Sequence, residues 1–171
     1  MAVPANKKTI ACSLFGIANA YWGLQNLSEA LNFAHQALTI NESIESNNEY
    51  TIGANLAILS NIYHGTGDDI RALELAERAL TILERYVSLD SSLLAPLLNN
   101  IATIQISLNM FNEALLTFIR VLHICEKVFP EGHPKRVTIE NNIHLVREMQ
   151  DNNNLESYSH LWEIFTKFLL F

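Results

Sequence analysis

The sequence predicts an all-α protein, an α-solenoid in which antiparallel helix pairs stack side by side. Three observations lead to this prediction. Ala30, Ala72 and Ala114, each followed by Leu, are spaced 42 residues apart, which indicates an internal repeat. Within each repeat, two stretches with helical apolar periodicity flank a polar break, as expected for a helical hairpin. The chain of 171 residues contains only six Gly and four Pro, so few residues interrupt helices.

The 42-residue step holds without insertions over three units. One helix pair cannot bury its apolar stripe alone, so stacked neighbours are required for a stable core. Small residues in matching positions of the units, such as Ala18, Ser60 and Ala102, let helix axes approach to about 8–10 Å. Apolar columns that keep the step contain Leu14, Leu56 and Leu98; Ile17, Leu59 and Ile101; Leu38, Leu80 and Leu122; and Ile40, Ile82 and Ile124.

Each unit is predicted to contain two helices joined by a short turn. In the second unit, Leu56, Leu59 and Ile62 follow a helical period. A break rich in Gly and Asp at residues 65–69 separates them from a second periodic stretch that begins at Leu73. Eight helices are expected at about residues 9–24, 27–45, 50–64, 69–87, 92–108, 111–128, 134–150 and 155–170.

The repeat pattern decays in the fourth unit. Val137, Asn142 and Ile143 continue the columns of the first helices, but Glu156 stands where the other second helices have Ala. A terminal unit with an irregular capping helix is expected in a stacked array, because its outer face meets water. The predicted organisation is an N-terminal tail at 1–8 and one repeat domain at 9–171, with units at about 9–48, 49–90, 91–132 and 133–171.

Composition narrows the class of protein. The net charge of −7 opposes binding to phosphates, so no nucleic-acid partner is expected. No apolar run approaches the roughly 20 residues that span a bilayer, so no membrane partner is expected. Cys12 and Cys125 do not form a disulfide framework; we expect two small buried apolar residues in a reducing, cytoplasmic compartment.

The sequence contains no pattern that is typical of catalysis. No two His residues flank a Glu at helical zinc-binding spacing, and Gly65-Thr66-Gly67 lacks the length and the Lys of a phosphate-binding loop. His133 precedes Pro134 and is interpreted as part of a helix start. We therefore expect a protein that is not an enzyme and that uses no metal or other cofactor.

The residue pattern of the units resembles the tetratricopeptide motif. This resemblance implies a right-handed superhelix and a role in protein binding. The third unit departs from the motif, because Gln105 replaces Tyr and Val121 replaces the last Ala. The residues that carry the resemblance are Leu14, Ile17, Ala18, Tyr21, Ala30 and Ala37; Leu56, Leu59, Ser60, Tyr63, Ala72 and Ala79; and Leu98, Ile101, Ala102 and Ala114.

The length of the unit resembles one variety of this family, the kinesin light chain repeat. The basic motif repeats every 34 residues, whereas this chain repeats every 42. The stretch 98–102, Leu-Asn-Asn-Ile-Ala, is similar to the Leu-Asn-Asn-Leu-Ala signature of that variety. Gly132-His133-Pro134 is similar to its Gly-x-His-Pro entry to the next unit. The resemblance covers about residues 9–150.

In this family the first helix of each pair lines a concave groove that holds a peptide. By column, that face would also carry Cys12 and Glu148. The resemblance implies that the groove is formed by Phe15, Asn19, Trp22, Ala57, Asn61, His64, Asn99, Thr103, Ile106, Asn141 and Leu145.

Two interpretations remain open for the groove residues. Asn amides both donate to and accept from a peptide backbone, but the same amides could instead bond to neighbouring helices. Trp22 is either an aromatic anchor for a ligand or part of the packing at the adjacent turn. None of the predicted positions is Lys or Arg, which argues against the carboxylate clamp and the acidic-peptide capture known in this family.

We predict a protein-interaction scaffold that binds a peptide or protein segment in this groove. Two alternatives are kept: a regulatory or targeting array of a larger enzyme, and a self-associating structural module. The aromatic C-terminal helix would mediate self-association, or it would seal the end of the array. Its apolar residues are Leu155, Tyr158, Leu161, Trp162, Phe165, Phe168, Leu169 and Phe171.

Overall fold

A computed structural model of the chain describes the backbone of residues 4–44, 49–89 and 91–168, and side chains between residues 7 and 153 of those ranges. Within them the secondary structure is helical, and each helix packs on the next one along the chain. The first helices of neighbouring pairs also touch, α1 with α3 and α3 with α5. The helices are α1 (Pro4–Gly23), α2 (Leu27–Glu42), α3 (Glu49–Gly65), α4 (Asp69–Leu83), α5 (Ala95–Ser107), α6 (Phe111–Val128) and α7 (Pro134–Phe168). The predicted all-α solenoid is confirmed.

The turn inside each of the first three pairs has the same backbone geometry. Gln25, Gly67 and Asn109 occupy one column of the repeat and all have positive φ, at 60°, 84° and 59°. Only one of the three is Gly, so the pairing of helices imposes the left-handed residue that ends each first helix. In the next column, Asn26 and Asp68 cap α2 and α4 by accepting the N–H groups of residues 29 and 71.

The small residues of the repeat are buried in each of the first three helix pairs. Ala18, Ala30, Ala72 and Ala102 are all fully buried, as are Ser60 and Ala114. Larger side chains such as Tyr21 and Phe33 fill the space around them; these two rings stack with centroids 5.5 Å apart. The close approach of helices that the sequence predicts is therefore present in all three pairs.

Ion pairs also repeat with the units. Arg78 lies 3.7 Å from Glu42, and Arg120 lies 2.6 Å from Glu84, one unit further on. Each pair joins the second helix of one unit to the end of the second helix before it. The pairs are partly solvated, so each contributes at most about 1 kcal/mol to the free energy of unfolding. We therefore expect these ion pairs to influence the relative orientation of adjacent units and to add little to their stability.

The fourth unit differs from the prediction, because α7 runs from Pro134 to Phe168 as one helix in place of helices at 134–150 and 155–170. In the third unit, Leu98, Ala102 and Gln105 are buried against α6, and Gln105 accepts a hydrogen bond from Thr117.

The same three columns on α7 contain Glu140, His144 and Arg147, and all three side chains are exposed. A neighbouring face of α7, about 100° around the helix, packs on α6 through Ile139, Ile143 and Val146, which are buried. A second helix would find charged groups where it needs an apolar surface. The aromatic side chains expected to cap the array lie outside the described residues.

Two smaller expectations are also corrected. Helix α1 begins at Pro4, so most of the predicted tail at 1–8 is helical; Pro suits the first turn because its missing N–H would have no partner there. Cys12 is exposed, whereas Cys125 is buried as expected. The neighbouring Ala11 is buried, so the buried side of α1 passes through position 11 and leaves the Cys12 side chain accessible to solvent.

Candidate ligand-binding surface

The predicted groove residues lie on the four first helices, α1, α3, α5 and α7, whose common surface we call the first-helix face. None of them is fully buried, so each has a side chain that solvent can reach. The exposed members are Asn19, Thr103, Asn141 and Leu145, and the half-buried members are Phe15, Trp22, Ala57, Asn61, His64, Asn99 and Ile106.

Two of these polar residues have partners within the protein. The Nδ2 group of Asn100 on α5 donates to Oδ1 of Asn61 on α3 at 2.5 Å, which ties two first helices together. His64 Nδ1 lies 2.5 Å from a carboxylate oxygen of Asp69, across the turn between α3 and α4. Asn61 and His64 therefore each use at least one of their hydrogen-bonding groups within the protein.

Three other asparagines are different. The side-chain amides of Asn19, Asn99 and Asn141 have no hydrogen-bond partner among the described residues. They lie on α1, α5 and α7, at the two ends and the middle of the first-helix face. An unpaired amide at a solvent-accessible position can both donate to and accept from a ligand.

Most apolar side chains of the first-helix face pack in part against the core. Trp22 packs on the cluster around Ala18 and Leu59, while Ala57 and Ile106 pack on the larger cluster of units two to four. Leu145 is more available, with 51% of its surface exposed. The first-helix face thus combines apolar side chains that pack on the core with a few accessible polar groups. Binding sites usually have this composition.

One end of this face contains a cavity of about 500 Å³, between the start of α5, the end of α6 and the start of α7. Asn99 is the one predicted groove residue on its wall. The lining residues are Ser92, Ala95, Pro96, Asn99, Asn100, Val121, Ile124, Cys125, Val128, Phe129, Lys135, Thr138 and Ile139. Most of this wall is apolar, and none of its residues is acidic.

A single cation stands at the cavity wall. The Lys135 ammonium lies 5.4 Å from the centre of the Phe129 ring, and no carboxylate of the described residues pairs with it. His133 stacks on Phe129 at 4.2 Å, and its Nδ1 accepts the N–H of Lys135, which supports its predicted role at the start of α7. Burial raises the pKa of the Cys125 thiol, and the nearby ammonium of Lys135 offsets this only partly.

Comparison with known families places a tetratricopeptide repeat match on residues 9–85, over the first two units. The first two units of the chain are therefore similar to tetratricopeptide repeats. Among curated proteins, comparison of the whole sequence found no match.

Solved structures with tetratricopeptide-like repeats have the same fold as this chain. Nearly identical TPR-like repeats assigned to kinesin light chain, from Podosopora anserina, superpose with a TM-score of 0.70 at 20% identity, over 85% of this chain and 67% of that one. BtubC (BKLC) from P. vanneervenii gives 0.71 at 18% identity, over 86% and 58%. The Sgt2 TPR domain of Aspergillus fumigatus gives 0.61 at 14% identity, over 84% and 81%. At these identities the likeness concerns the fold alone.

The tetratricopeptide pattern did not reveal the cavity. Its lysine, Lys135, follows Gly132-His133-Pro134 and lies outside the columns from which the groove was predicted. Its wall also includes α6, a second helix. A comparison of residue sizes between units would have been the useful signal, since Cys125 and Val128 are smaller than their counterparts Leu83 and Tyr86.

Within the described part of the chain, no helix is both long and apolar enough to cross a membrane. No cluster of three or more His, Cys, Asp or Glu residues suited to a metal ion occurs among those same residues.

Proposed function

We propose that this protein is an interaction scaffold whose first-helix face binds an extended segment of a partner protein. Tetratricopeptide repeats are protein-binding modules, and the proposal adds the location. The observation that carries it is the set of unpartnered amides of Asn19, Asn99 and Asn141, on three helices of one face. We further propose that it acts in the cytoplasm, without catalysis and without a cofactor.

The chemistry of these amides suits a peptide backbone. An extended segment presents alternating donors and acceptors along its length, and an Asn amide can bond to both. Apolar side chains of the segment would contact Phe15, Ile106 and Leu145, which are accessible to different degrees. Because Asn61 is bonded to Asn100, we expect Asn61 to position α3 and α5 and to contribute less to binding directly.

The test combines mapping with matched variants of the full chain. Chemical crosslinking and mass spectrometry would identify a partner segment, and fluorescence anisotropy would measure its binding as a labelled peptide. Asn19→Ala, Asn99→Ala and Asn141→Ala together should weaken binding at least about tenfold, since each loses a hydrogen bond of about 1 kcal/mol. The control is Asn32→Ala with Asn112→Ala, two exposed asparagines on second helices. Equal loss of binding in both sets would refute the location.

Self-association is the second candidate. It is favoured by the continuation of α7 as helix to Phe168, beyond Val146, the last buried residue described on it. That stretch contains the apolar series from Leu155 to Phe168 in the sequence. Light scattering between micromolar and millimolar concentration tests it: a mass that rises with concentration in the parent, but not in Trp162→Ala with Phe165→Ala, would support it. A constant monomer mass would discard it.

A further inference from the structure

We call a helix pair together with the first helix of the next unit a junction, so that the second junction is α3, α4 and α5 and the third is α5, α6 and α7. The third junction contains the cavity. In the second unit, Leu83 of α4 fills the space next to Gly53 of α3, where even a Cβ atom would come within 3.0 Å of Leu83 Cγ. One unit further on, the same positions are Cys125 and Ala95, and both line the cavity. Cys125 is smaller than Leu83, and Ala95 is larger than Gly53 by only one methyl group, so less side-chain volume fills the space beside α5 and α6.

A second substitution opens the same space further. At the second junction, the rings of Tyr50 and Tyr86 pack edge to face with centroids 6.0 Å apart. The corresponding residues at the third junction are Ser92 and Val128, which are both on the cavity wall. The larger side chains of the second unit therefore fill this space, whereas the smaller ones of the third unit leave it open.

The chemistry of the wall indicates what would fill the cavity. Its volume, about 500 Å³, lies within the roughly 300–1,000 Å³ of small-molecule pockets. Its surface is mainly apolar, its only charged residue is Lys135, and the amide of Asn99 has no partner among the described residues. At the second junction the residue matching Lys135 is Leu93, so the repeat itself does not require a cation there.

We propose that this cavity binds a small amphiphile with one negative charge, such as a medium-chain carboxylate. The apolar body of the ligand would lie against Val121, Ile124 and Val128. Its carboxylate would pair with the Lys135 ammonium and accept a hydrogen bond from Asn99 Nδ2. This inference goes beyond the peptide-binding proposal and does not depend on it, because the ligand occupies the junction of the third and fourth units alone.

Titration calorimetry of the full chain with octanoate, 1-octanol and octylammonium tests the proposal. Octanoate should bind one saturable site, more tightly than octanol, and octylammonium should not bind measurably. Affinity should rise about fourfold per methylene from hexanoate to octanoate, as expected for burial of apolar groups. Lys135→Gln should weaken octanoate about fivefold and leave octanol unchanged, because only the carboxylate interacts with the ammonium.

Residues found at the second junction can be introduced at the equivalent positions of the third, where we expect them to fill the cavity. Cys125→Leu and Val128→Tyr each install the residue found one unit earlier, and either should abolish octanoate binding while circular dichroism shows a folded helical chain. Asn19→Ala with Asn141→Ala, which alters the first-helix face elsewhere, should bind octanoate as the parent does. Octanoate binding that survives both filling variants, or no saturable binding to the parent, would overturn the proposal.

Discussion

Asn100 of α5 donates a 2.5 Å hydrogen bond to Asn61 of α3, and this contact joins two first helices that belong to successive units. Both residues lie on the half-buried edge between the helices. The contact divides the asparagines of the first-helix face into two groups, one that holds the array in shape and one whose amides have no partner in the described part of the chain.

The first prediction concerns this bond. Asn61→Ala and Asn100→Ala should each lower the free energy of unfolding by about 1 kcal/mol, since each leaves a half-buried amide without its partner. The double variant should cost less than the sum of the two, with a coupling of about 0.5–1.5 kcal/mol in chemical denaturation. Asn99→Ala is the control, and it should change stability by less than about 0.5 kcal/mol. Additive single effects would show that the two amides do not interact.

The second prediction contrasts two helical glycines. Gly16 lies in the middle of α1 with open space around its missing Cβ, so Gly16→Ala should stabilise the chain by about 0.5–1 kcal/mol. Gly53→Ala should destabilise it, because the new Cβ would come 3.0 Å from Leu83 Cγ and 3.1 Å from Ile82 Cγ2, and overpacking costs about 1–3 kcal/mol. Thermal and urea denaturation of both variants measure the difference in sign.

A third variant checks the cause. Gly53→Ala combined with Leu83→Cys copies the residue pair of the third unit, Ala95 and Cys125. Because the smaller side chain makes room for the Cβ, this pair should be less destabilising than the sum of its single changes. Strict additivity would mean that the contact with Leu83 does not limit the approach of α3 and α4.

The third prediction concerns Asn55, which is 2% exposed and whose Nδ2 and Oδ1 atoms both lack a partner among the described residues. The equivalent residue of the next unit is Leu97, which is buried in the core. Asn55→Leu should raise the free energy of unfolding by about 1–3 kcal/mol, because it removes the cost of burying an unbonded amide. Asn32→Leu, at an exposed position of α2, should stay within about 0.5 kcal/mol of the parent. A loss of stability in Asn55→Leu would show that the amide is bonded in solution.

The fourth prediction concerns the two thiols. Cys12 is exposed, while Cys125 is buried and burial raises its pKa. Since the thiolate is the reacting form, Cys125 should react with a disulfide reagent more slowly than Cys12 at pH 8, and its rate should keep rising at higher pH than is usual for a thiol. Stopped-flow measurement on Cys12→Ser should show only the slow phase, and unfolding in denaturant should abolish the difference. A fast phase that persists in Cys12→Ser would contradict the assignment.

Much of the fold follows from positions that repeat. Ala30, Ala72 and Ala114 are spaced by the unit length, and their burial follows because a hairpin of two helices needs a small side chain where the axes come closest. The helix boundaries of the first three units agree with prediction within a few residues; the larger differences are the earlier start at Pro4, the earlier end at Leu83 and the later start at Ala95. These features depend on local periodicity and turns, which a sequence displays directly.

The fourth unit shows where this reasoning fails. The polar run of residues 151–154 resembles a break, yet α7 continues through it, because Glu140, His144 and Arg147 offer no surface for a returning helix. The groove residues were predicted by column, which identifies their helix but not their partners. Only the packed structure distinguishes Asn61, whose oxygen is occupied, from Asn99, whose amide is free among the described residues.

The sequence by itself determined that this chain is a stack of helical hairpins with a 42-residue unit, because periodicity and small-residue spacing are local and repeat in register. Only the tertiary structure determined where the stacked helices leave a cavity. The cavity beside Cys125 and Lys135 depends on how far α5, α6 and α7 stand apart, and that distance is set by side chains from three helices acting together. No single stretch of sequence contains that information.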